Sequence, residues 1–575
     1  MDGSSISLPY DNPSLGQMAG PNAPGVLPFR AIRKHPVRGL RQGVLVVSLL
    51  LGLLFSSLDT SIVATSLVTI SHDLDDFINA PWIVLSYLLT YMGFAVCISK
   101  LSDIYGRKNM LVVSWVVFVA FSLGCANASD MTALIICRAF QGIGASGLYS
   151  LTQIGLVEVG PSHKPSAIGA MIGSTLAFAF VLGPLVGGAV AHLSDWRWLF
   201  NMNIPFGLVT ILVITNFWPH EEVDDFLSWR AFSRIDIVGS ATLICSSGLL
   251  VFALQQAGSH TFPWMSAPII TALVVSIVTW VAFVWWEVIL ELRPIHNIEP
   301  IFPIKLMLRR VYSAGLVTTL LTGFPYVAST IVLPERFQIV NGQSVLEAGV
   351  HILPLLGGCA IGSFLGGAIS SRNNNTGYTL VGASTLQLMG IGLMLTVPAE
   401  NTSASQYGFQ AIFGLGVGLS FSAATIMTNL VASEESERAS AQGAVAQARV
   451  LGGCIGLSIC TVILNAHINR YLGEELDKEQ LDNLLRSPLS GLRLPPDLRE
   501  LIRHVYANAF REELKVMTGV CAAMVVFSLL ALERSPAPLE RLTLLAKDDA
   551  LRRGSDSGTE LTDVGRRDLE SAQGY

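Results

Sequence analysis

The sequence predicts an all-α membrane protein that crosses the bilayer about fourteen times. Of its 575 residues, 51% are hydrophobic and only 14% are charged, whereas soluble domains carry about a quarter charged residues. The mean hydropathy of +0.54 indicates that most of the surface faces something other than water. The apolar residues gather in stretches of about 20, the length that a helix needs to cross a bilayer.

The apolar stretches fall into three groups along the chain. The first six lie at 43–70, 81–99, 110–128, 131–158, 167–192 and 202–218. After a polar interval that begins at His220, two more follow at 236–256 and 267–290. The last six lie at 312–334, 347–370, 377–397, 407–431, 438–464 and 515–533. The polar intervals therefore separate six, two and six predicted spans.

Basic residues predict the orientation of the chain. Arg30, Arg38 and Arg41 precede the first span, whereas the next loop carries Asp73 and Asp75 with no Lys or Arg. Since basic loops stay in the cytoplasm, we expect a cytoplasmic N-terminus, and an even number of spans returns the C-terminus to the same side. The polar segments 1–42 and 534–575 are expected to be disordered cytoplasmic tails.

The longest polar interruption in the second half is 467–513, which we expect outside the cytoplasm. Pro496 marks a helix start, and the apolar residues of 498–505 recur at helical spacing, which predicts a short amphipathic helix on the membrane surface. Asn127 and Asn401 begin N-x-S/T sequons in loops on the outer side. The chain is therefore expected to be a glycoprotein.

Asp59 lies in the middle of the first predicted span, with apolar-rich sequence on both sides. An acidic residue at the bilayer centre costs at least about 2.5 kcal/mol on insertion scales, so such residues are functional candidates. A carboxylate in this setting can bind and release a proton, which makes Asp59 the candidate for proton coupling. The alternative is a water-exposed residue near a helix end.

Arg138 is the second charged residue inside a span. Gln141, Gly142 and Ala145 follow it at three, four and seven residues and so share its helical face. Because an arginine stays charged, Arg138 can tune a nearby carboxylate but cannot itself carry the proton. The alternative is a side chain that snorkels to the membrane surface.

Two further patterns concern contacts between helices. The fifth span contains a stripe of small residues and a proline, which permit close helix packing and a bend: Gly183, Pro184, Gly187 and Gly188. The loop after the second span carries Asp103 and Arg107, four residues apart, which could form a latch that opens when the helices move. As a bare pattern, the same loop could also be only a basic anchor at the cytoplasmic surface.

Polar residues inside other spans are candidates for the wall of a substrate cavity. They are Gln141, Gln153, Thr318, Thr322, Ser422 and Gln447. Together with nearby aromatic residues, this lining suits neutral or weakly charged organic molecules. All eight cysteines lie in apolar stretches and none forms a CxxC pair, so no disulfide framework and no metal site is expected.

Together these residues resemble the major facilitator superfamily and, within it, the fourteen-span drug:proton antiporters. Five segments carry the likeness: 58–67 to LDxTIVNxAL, 99–108 to GxLxDRxGRK, 134–145 to RxxQGxGA, 183–188 to GPxxGG, and 196–207 to WRWIFxINxPxG. Segments 333–338 and 349–354 also fit the start of the second half. The sequence departs from the pattern at Ser99, Ala64, Val68 and 371–375.

The resemblance implies two six-helix halves around a midplane cavity, at 43–218 and 312–533, with an inserted helix pair in the linker 219–311. The halves of this family rock to expose the cavity alternately to each side. Carried over residue by residue, Asp59 would be the protonation site and Arg138 its electrostatic partner. Asp103 and Arg107 would form the cytoplasmic gate. Gly183, Pro184, Gly187 and Gly188 would form the helix-packing hinge.

We therefore expect a monomeric, proton-coupled exporter of toxins, secondary metabolites or drugs, in the plasma membrane and without a cofactor. A vacuolar transporter of basic amino acids or an iron-chelate transporter of the same fold is one alternative, and a membrane sensor without transport is another. The chain contains no HExxH and no GxxxxGK[ST] motif, which disfavours a membrane-embedded enzyme. It also has no basic block with interleaved aromatic residues, so no nucleic-acid partner is expected.

Overall fold

The computed structural model describes most of residues 39–533. The gaps lie at 160–164, 220–235, 259–261, 293–297, 299, 303, 371–372, 399–403, 433–434, 474 and 487–494. Within the described part, the regular elements are α-helices. Residues 1–38 of the predicted N-terminal tail, the predicted C-terminal tail and the sequon at Asn401 lie outside the described residues. The last three residues of the predicted tail 1–42 are helical, because the first helix begins at Leu40.

The first seven helices form an N-terminal bundle. They are α1 (Leu40–Asp73), α2 (Pro81–Tyr105), α3 (Arg107–Ala126), α4 (Met131–Val159), α5 (Pro165–Leu193), α6 (Trp198–Asn201) and α7 (Asn203–Phe217). Helix α4 packs against α1, α2 and α3, and α1 also packs against α5 and α7. This bundle therefore brings the middle of α1 close to α3, α4 and α7.

The remaining helices form an inserted pair and a C-terminal bundle. The linker contains α8 (Ile237–Gly258), α9 (Ala267–Leu292) and α10 (Ile304–Met307). The C-terminal bundle contains α11 (Arg310–Ile339), α12 (Val345–His351), α13 (Leu353–Ile369), α14 (Thr376–Met394), α15 (Ser405–Val431), α16 (Glu435–Leu472), α17 (Lys478–Arg486) and α18 (Pro496–Leu529). Helix α15 packs against α13 and α14, and α11 packs against α16 and α18.

Ten helical segments of the described residues are long and apolar enough to cross a membrane. They are Leu40–Val63, Arg107–Ala126, Met131–Leu156, Trp198–Phe217, Ile237–Gly258, Ala267–Leu292, Arg310–Ile339, Val345–Ile369, Ser405–Val431 and Ser440–Leu472. The other four predicted spans coincide with α2, α5, α14 and α18. These segments are helical, but their described residues do not meet the same criterion of length and apolar composition. The count of fourteen spans therefore stays a prediction.

Helix α9 shows the surface of a protein that lies in lipid. Its large apolar side chains at Val274, Ile277, Val281 and Trp285 are all exposed. Exposed apolar surface of this extent is unusual on a soluble monomer. Helix α8 lies between α9 and the rest of the molecule, because it packs against α9 on one side and against α2 and α16 on the other.

Local sequence sets several helix ends. Pro81 and Pro496 each lie in the first turn of a helix, where the missing N–H of proline costs nothing. Gly106 separates α2 from α3 with a φ of 85°, a conformation that favours glycine. Ser344 and Glu347 form a reciprocal capping box at the start of α12.

The predicted extracytoplasmic loop at 467–513 needs a correction. Helix α16 continues to Leu472, and α18 runs without interruption from Pro496 to Leu529. The expected helix start at Pro496 is present, but Ile502, Tyr506 and Phe510 are buried in the core of the protein. The segment from 496 onward is therefore the first half of the last long helix and does not lie as a separate helix on a surface.

Helices α1, α2 and α5 of the N-terminal bundle contact the C-terminal bundle. Helix α1 contacts α11, α5 contacts α12 and α13, and α2 contacts α16. We call the end of the molecule where α1 stops the Asp73 end, and the end where α2 meets α3 the Gly106 end. At the Asp73 end, the Gln338 side chain donates a hydrogen bond to the Thr65 carbonyl across the two bundles, at 3.1 Å.

Candidate functional site

Asp59 is buried in the N-terminal bundle, with only 3% of its surface exposed. Its Oδ2 accepts a hydrogen bond from Arg138 Nη1, which makes the two residues a buried ion pair between α1 and α4. Its Oδ1 accepts from Gln141 Nε2 at 3.1 Å and from Asn203 Nδ2 at 3.4 Å. Both oxygens of the carboxylate are therefore satisfied.

Arg138 is fully buried and has partners on every side. Besides Asp59, its guanidinium donates to Gln141 Oε1 at 2.8 Å and to the Ile83 carbonyl at 3.1 Å. The centre of the guanidinium lies 4.1 Å from the ring centroid of Tyr87, a cation–π distance. A buried ion pair offsets its desolvation only when further hydrogen bonds satisfy both partners, and this one has them.

Helices α3 and α7 complete the network through Ser122 and Asn203. The Ser122 hydroxyl accepts hydrogen bonds from Gln141 Nε2 at 2.8 Å and from Asn203 Nδ2 at 3.2 Å. Asp59, Arg138, Gln141, Asn203 and Ser122 thus form one polar cluster, which we call the Asp59 network. Its members come from four helices and from three of the segments that carry the family resemblance.

Glycine lets α2 and α4 approach each other beside this network. A Cβ at Gly142 would lie 2.5 Å from the Tyr87 carbonyl oxygen, so no larger residue fits without movement of the backbone. Tyr87 in turn donates from its hydroxyl to the Ser56 carbonyl of α1 at 2.9 Å. Gly142 therefore holds α2 where Tyr87 can cover Arg138.

The predicted hinge residues of α5 pack against both bundles. A Cβ at Gly187 would lie 2.6 Å from Thr65 Oγ1 and 2.8 Å from the Ile62 carbonyl of α1, and one at Gly183 would clash with Ser61. On the other side, a Cβ at Gly188 would lie 2.7 Å from the Leu346 Cα of α12. Helix α5 is therefore a spacer between α1 and the C-terminal bundle.

Pro184 completes this contact from the same turn of α5. A Cβ at Gly349 of α12 would clash with the Pro184 carbonyl oxygen, so the backbones of the two helices touch. Proline inside a helix also removes one backbone hydrogen bond and favours a bend. The close approach of α5 to both α1 and α12 therefore depends on the small residues of the GPxxGG segment.

The predicted gate residues lie at the Gly106 end. Arg107 begins α3, and its Nη1 donates to the Ser102 hydroxyl and, at 3.2 Å, to the Ser99 carbonyl, both in the last two turns of α2. The Asp103 side chain lies outside the described part of the structure, so the structure does not address the proposed pair. Asn127, the first sequon residue, is exposed at the end of α3.

The residues predicted to line a substrate cavity do not lie together in the structure. Gln141 belongs to the Asp59 network, and Gln153 is half-buried on α4. Thr318 and Thr322 are fully buried within the C-terminal bundle. The Thr322 hydroxyl lies 3.0 Å from Ser420 Oγ and 3.1 Å from Met524 Sδ, between α11, α15 and α18.

Ser422 and Gln447 contact neighbouring helices directly. The Ser422 hydroxyl donates to the Ser363 carbonyl at 2.9 Å, where α15 packs against α13. Gln447 of α16 donates from Nε2 to the Met92 carbonyl of α2 at 3.4 Å, so it joins the two bundles. Of the C-terminal residues predicted to line a cavity, Gln447 alone is seen to contact the N-terminal bundle within the described part of the chain.

Sequence reasoning missed several buried charged residues. Glu335 of α11 and Glu513 of α18 are buried and close enough to interact electrostatically. Asp236 and Glu287 are buried where α8 meets α9, and Asp236 Oδ1 accepts a hydrogen bond from Trp286 Nε1 at 2.7 Å. Each of these acids interrupts or adjoins an apolar stretch, which is the signal that singled out Asp59. Among the described residues, no group of His, Cys, Asp and Glu is arranged to hold a metal ion.

Arg449 of α16 was also overlooked. It lies inside the predicted span 438–464, between Gln447 and the paired glycines Gly452 and Gly453. Its guanidinium stacks on the Phe421 ring of α15, 3.8 Å from the ring centroid. A lone arginine in the otherwise uncharged sequence 439–464 is a visible signal, since Arg138 was found by the same rule.

Comparison with known proteins gives consistent matches along most of the chain. Residues 49–457 match the sequence profile of the Major Facilitator Superfamily. The MFS-type transporter FPY5 of Fusarium mangiferae is 38% identical over 509 residues, which cover 87% of this chain and 85% of the relative. The MFS thioclapurine efflux transporter tcpA of Claviceps purpurea (strain 20.1) is 28% identical over 511 residues, or 86% of this chain and 91% of the relative.

A solved structure supports the same fold. The bacterial homologue of the human lysosomal transporter Spinster, crystallised in an inward-facing and unoccupied conformation, aligns with a TM-score of 0.58. The alignment covers 86% of this chain and 98% of the bacterial chain at 14% sequence identity. At this identity the likeness concerns the fold alone.

Proposed function

Because the chain belongs to the major facilitator superfamily, and is therefore a multi-pass membrane transporter, we propose that it exports small organic molecules in exchange for protons. Within the superfamily we place it among the fourteen-span drug:proton antiporters, as a monomer in the plasma membrane. The name of the Claviceps purpurea relative describes efflux of thioclapurine, which supports the direction of transport. Toxins, secondary metabolites and drugs are the proposed cargo.

The observation that carries this proposal is the burial of Asp59 against Arg138. Binding of a proton to Asp59 removes its charge and leaves the permanent charge of Arg138 with only neutral partners, Gln141 and the Ile83 carbonyl. The two charge states of the Asp59 carboxylate therefore give the Asp59 network two different electrostatic energies. A difference of this kind can shift the equilibrium between two conformations, which couples the proton to a conformational change.

Helix α1 offers a short physical route from this network to the other bundle. Asp59 lies two residues before Ser61 and six before Thr65, the residues that face Gly183 and Gly187 of α5. Helix α5 in turn touches α12 through Gly188. We infer that a shift of α1 on protonation of Asp59 moves α5 against the C-terminal bundle and so opens or closes the Asp73 end.

The other end completes the proposed cycle. With the Gly106 end in the cytoplasm, as the basic residues Arg107 and Lys108 favour, Asp103 and Arg107 would act as the cytoplasmic gate. Substrate would enter from the cytoplasm as the proton leaves, and a proton from outside would reset Asp59. Rocking of the two halves around a central site is the general mode of such folds.

The experiment is gradient-driven uptake into inverted membrane vesicles whose interior is made acidic, with a panel of dyes, drugs and basic amino acids. The wild-type protein is expected to accumulate members of the panel, and Asp59→Asn is expected to lose accumulation. Asp75→Asn is the matched control, because Asp75 is exposed just beyond α1 and its positive φ of 51° is one that asparagine accepts.

Each outcome decides between the candidate functions. Uptake of organic molecules that disappears only in Asp59→Asn supports the antiporter. Uptake restricted to basic amino acids would favour the narrower vacuolar transporter. Normal accumulation by Asp59→Asn at every pH would show that Asp59 does not carry the coupled proton.

A further inference from the structure

Arg449 differs from Arg138 in having no acidic partner among the residues that the structure describes. Its Nε is buried without a hydrogen-bond acceptor. Among the described residues, no carboxylate forms an ion pair with it, and the titratable side chains near it are those of Tyr149, Cys359, Tyr326 and Tyr91. An unpaired charge removed from water is costly unless a partner arrives to satisfy it.

Aromatic rings surround the Arg449 guanidinium. Phe421 stacks against it with a centroid distance of 3.8 Å, and the Tyr326 ring meets Phe421 edge-on at 5.3 Å. From the N-terminal bundle, Tyr91 and Tyr149 meet each other edge-on at 5.7 Å. We call Arg449, Phe421, Tyr326, Tyr91 and Tyr149 the Arg449 cluster.

This cluster lies between the two bundles. Tyr91 and Tyr149 come from α2 and α4, whereas Tyr326, Phe421 and Arg449 come from α11, α15 and α16. Four of the five are half-buried and Tyr326 is buried, so the cluster retains open surface within the molecule. Since its members come from both bundles, that surface faces the space that rocking would open and close.

The backbone at Arg449 is held firmly. Gly323 of α11 lies so close that a Cβ would clash with the Arg449 carbonyl oxygen. One turn and two turns further along α16, Gly452 and Gly456 touch α11, and a Cβ at Gly456 would lie 2.5 Å from the Phe324 carbonyl. The guanidinium is thus presented from a fixed helix, which is what a binding residue requires.

We propose that Arg449 binds the anionic group of the transported substrate and that Phe421 and the tyrosines contact its aromatic or conjugated skeleton. A planar guanidinium that is stacked on one face presents N–H donors at its edge, which match a carboxylate in a bidentate arrangement. The proposal rests on the proposed transport function and narrows its cargo to organic acids. It replaces the expectation of neutral or weakly charged cargo, which did not take account of Arg449.

The test is equilibrium binding to the purified full-length protein in lipid nanodiscs, with three probes of the same skeleton: 1-naphthoate, 1-naphthamide and 1-naphthylmethylammonium. We expect 1-naphthoate to bind about tenfold or more tighter than the amide, and the amine weakest. In Arg449→Gln the acid should lose this preference over the amide. Arg449→Lys should keep part of it, since the charge remains while the planar geometry is lost.

Arg309→Gln is the matched control. Arg309 is exposed at the start of α11 and donates to the Val431 carbonyl at 2.7 Å, so the same substitution removes the same charge away from the cluster. It should leave the preference for the acid unchanged. Size-exclusion profiles and thermal midpoints establish that each variant is folded.

Two results would overturn the proposal. One is binding of the amide or the amine as tightly as the acid to the wild-type protein, which needs no variant at all. The other is an absence of saturable binding of 1-naphthoate up to about 10 mM. Because binding is measured without a proton gradient, a protein that binds the acid but fails to transport would contradict the proposed function and leave this site intact.

Discussion

Arg138 and Arg449 both lie in apolar helices of this protein, and their surroundings are opposite. Arg138 lies inside the N-terminal bundle, where Asp59, Gln141 and a backbone carbonyl accept its hydrogen bonds. Arg449 lies between the bundles, where Phe421 stacks against it and its Nε has no acceptor. The first is part of a closed network, and the second presents donors to whatever enters the space between the bundles.

The difference shows that the role of a charged residue in an apolar helix depends on its hydrogen-bond and ion-pair partners. A network whose members are all satisfied can change state only if one member changes its own charge, and Asp59 is the member of the Asp59 network that can do so. A charge without a partner can instead be satisfied by a ligand. This difference is why we propose that the Asp59 network couples protons and that the Arg449 cluster recognises substrate.

The largest effect is expected from Arg138→Gln. The substitution leaves the Asp59 charge buried without its counter-ion, which costs about 3–5 kcal/mol of stability. Thermal unfolding in detergent should show a much lower midpoint than wild type. The double variant with Asp59→Asn should recover a large part of the loss, because no charge is then unpaired. Equal instability of the single and double variants would show that the pair is not the origin of the effect.

Gly188→Ala should come next, because it acts where α5 touches the C-terminal bundle. A Cβ there would lie 2.7 Å from Leu346 Cα, and overpacking of this kind costs about 1–3 kcal/mol. The cost falls on the conformation closed at the Asp73 end, so accessibility of a cysteine probe near Asp73 should rise and transport should fall. Gly382→Ala is the control, since a Cβ at Gly382 meets nothing within 4 Å. Equal accessibility and equal transport in Gly188→Ala and Gly382→Ala would contradict the proposal that α5 acts as a hinge.

A smaller effect is expected from Thr322→Val in the C-terminal bundle. The hydroxyl lies 3.0 Å from Ser420 Oγ, and loss of such a buried hydrogen bond costs about 1 kcal/mol. Because Thr322 lies in the bundle core and not between the bundles, the concentration for half-maximal transport should not change. A change in substrate preference would instead show that Thr322 lines the substrate cavity, as the sequence predicts.

The smallest effect on stability is expected from Arg449→Gln. The cation–π contact with Phe421 is lost but no ion pair with a described residue is, so the free energy of unfolding should fall by less than about 1 kcal/mol. The contrast with Arg138→Gln in the same thermal unfolding assay sharpens the comparison of the two sites. A loss of stability as large as that of Arg138→Gln would show that Arg449 is a structural residue.

Sequence alone anticipated much of the N-terminal bundle and less of the C-terminal one. Asp59 and Arg138 were recognisable because a charge in an apolar span is costly, and the resemblance paired them. Asn203 lies within a recognised segment, but its contact with Asp59 depends on how α7 packs against α1. A single sequence does not reveal that packing. Helix positions followed from hydropathy, whereas the continuity of α18 through 496–513 did not, because the polar residues on that segment hid its buried face.

The polar residues of the C-terminal bundle explain the remaining difference. Thr318 and Thr322 donate to the carbonyls of Ala314 and Thr318, four residues earlier in the same helix, at 2.7 and 2.9 Å. A hydroxyl in an apolar helix can therefore be satisfied locally and need not face water. The charge of an arginine cannot be neutralised by a carbonyl of its own helix. Arg449 is therefore a better guide than Thr318 and Thr322 to which residues face the space between the bundles.

The most direct test of the central claim is the infrared difference spectrum of the purified protein between acidic and alkaline solution. The carbonyl stretch of a protonated carboxyl group reports which acid changes its charge. We predict that the wild-type band contains one component that persists in Asp75→Asn and is missing from Asp59→Asn. An unchanged band in Asp59→Asn would place the titrating carboxyl elsewhere, with Glu335 and Glu513 as the next pair to test, and would contradict the assignment of proton coupling to Asp59.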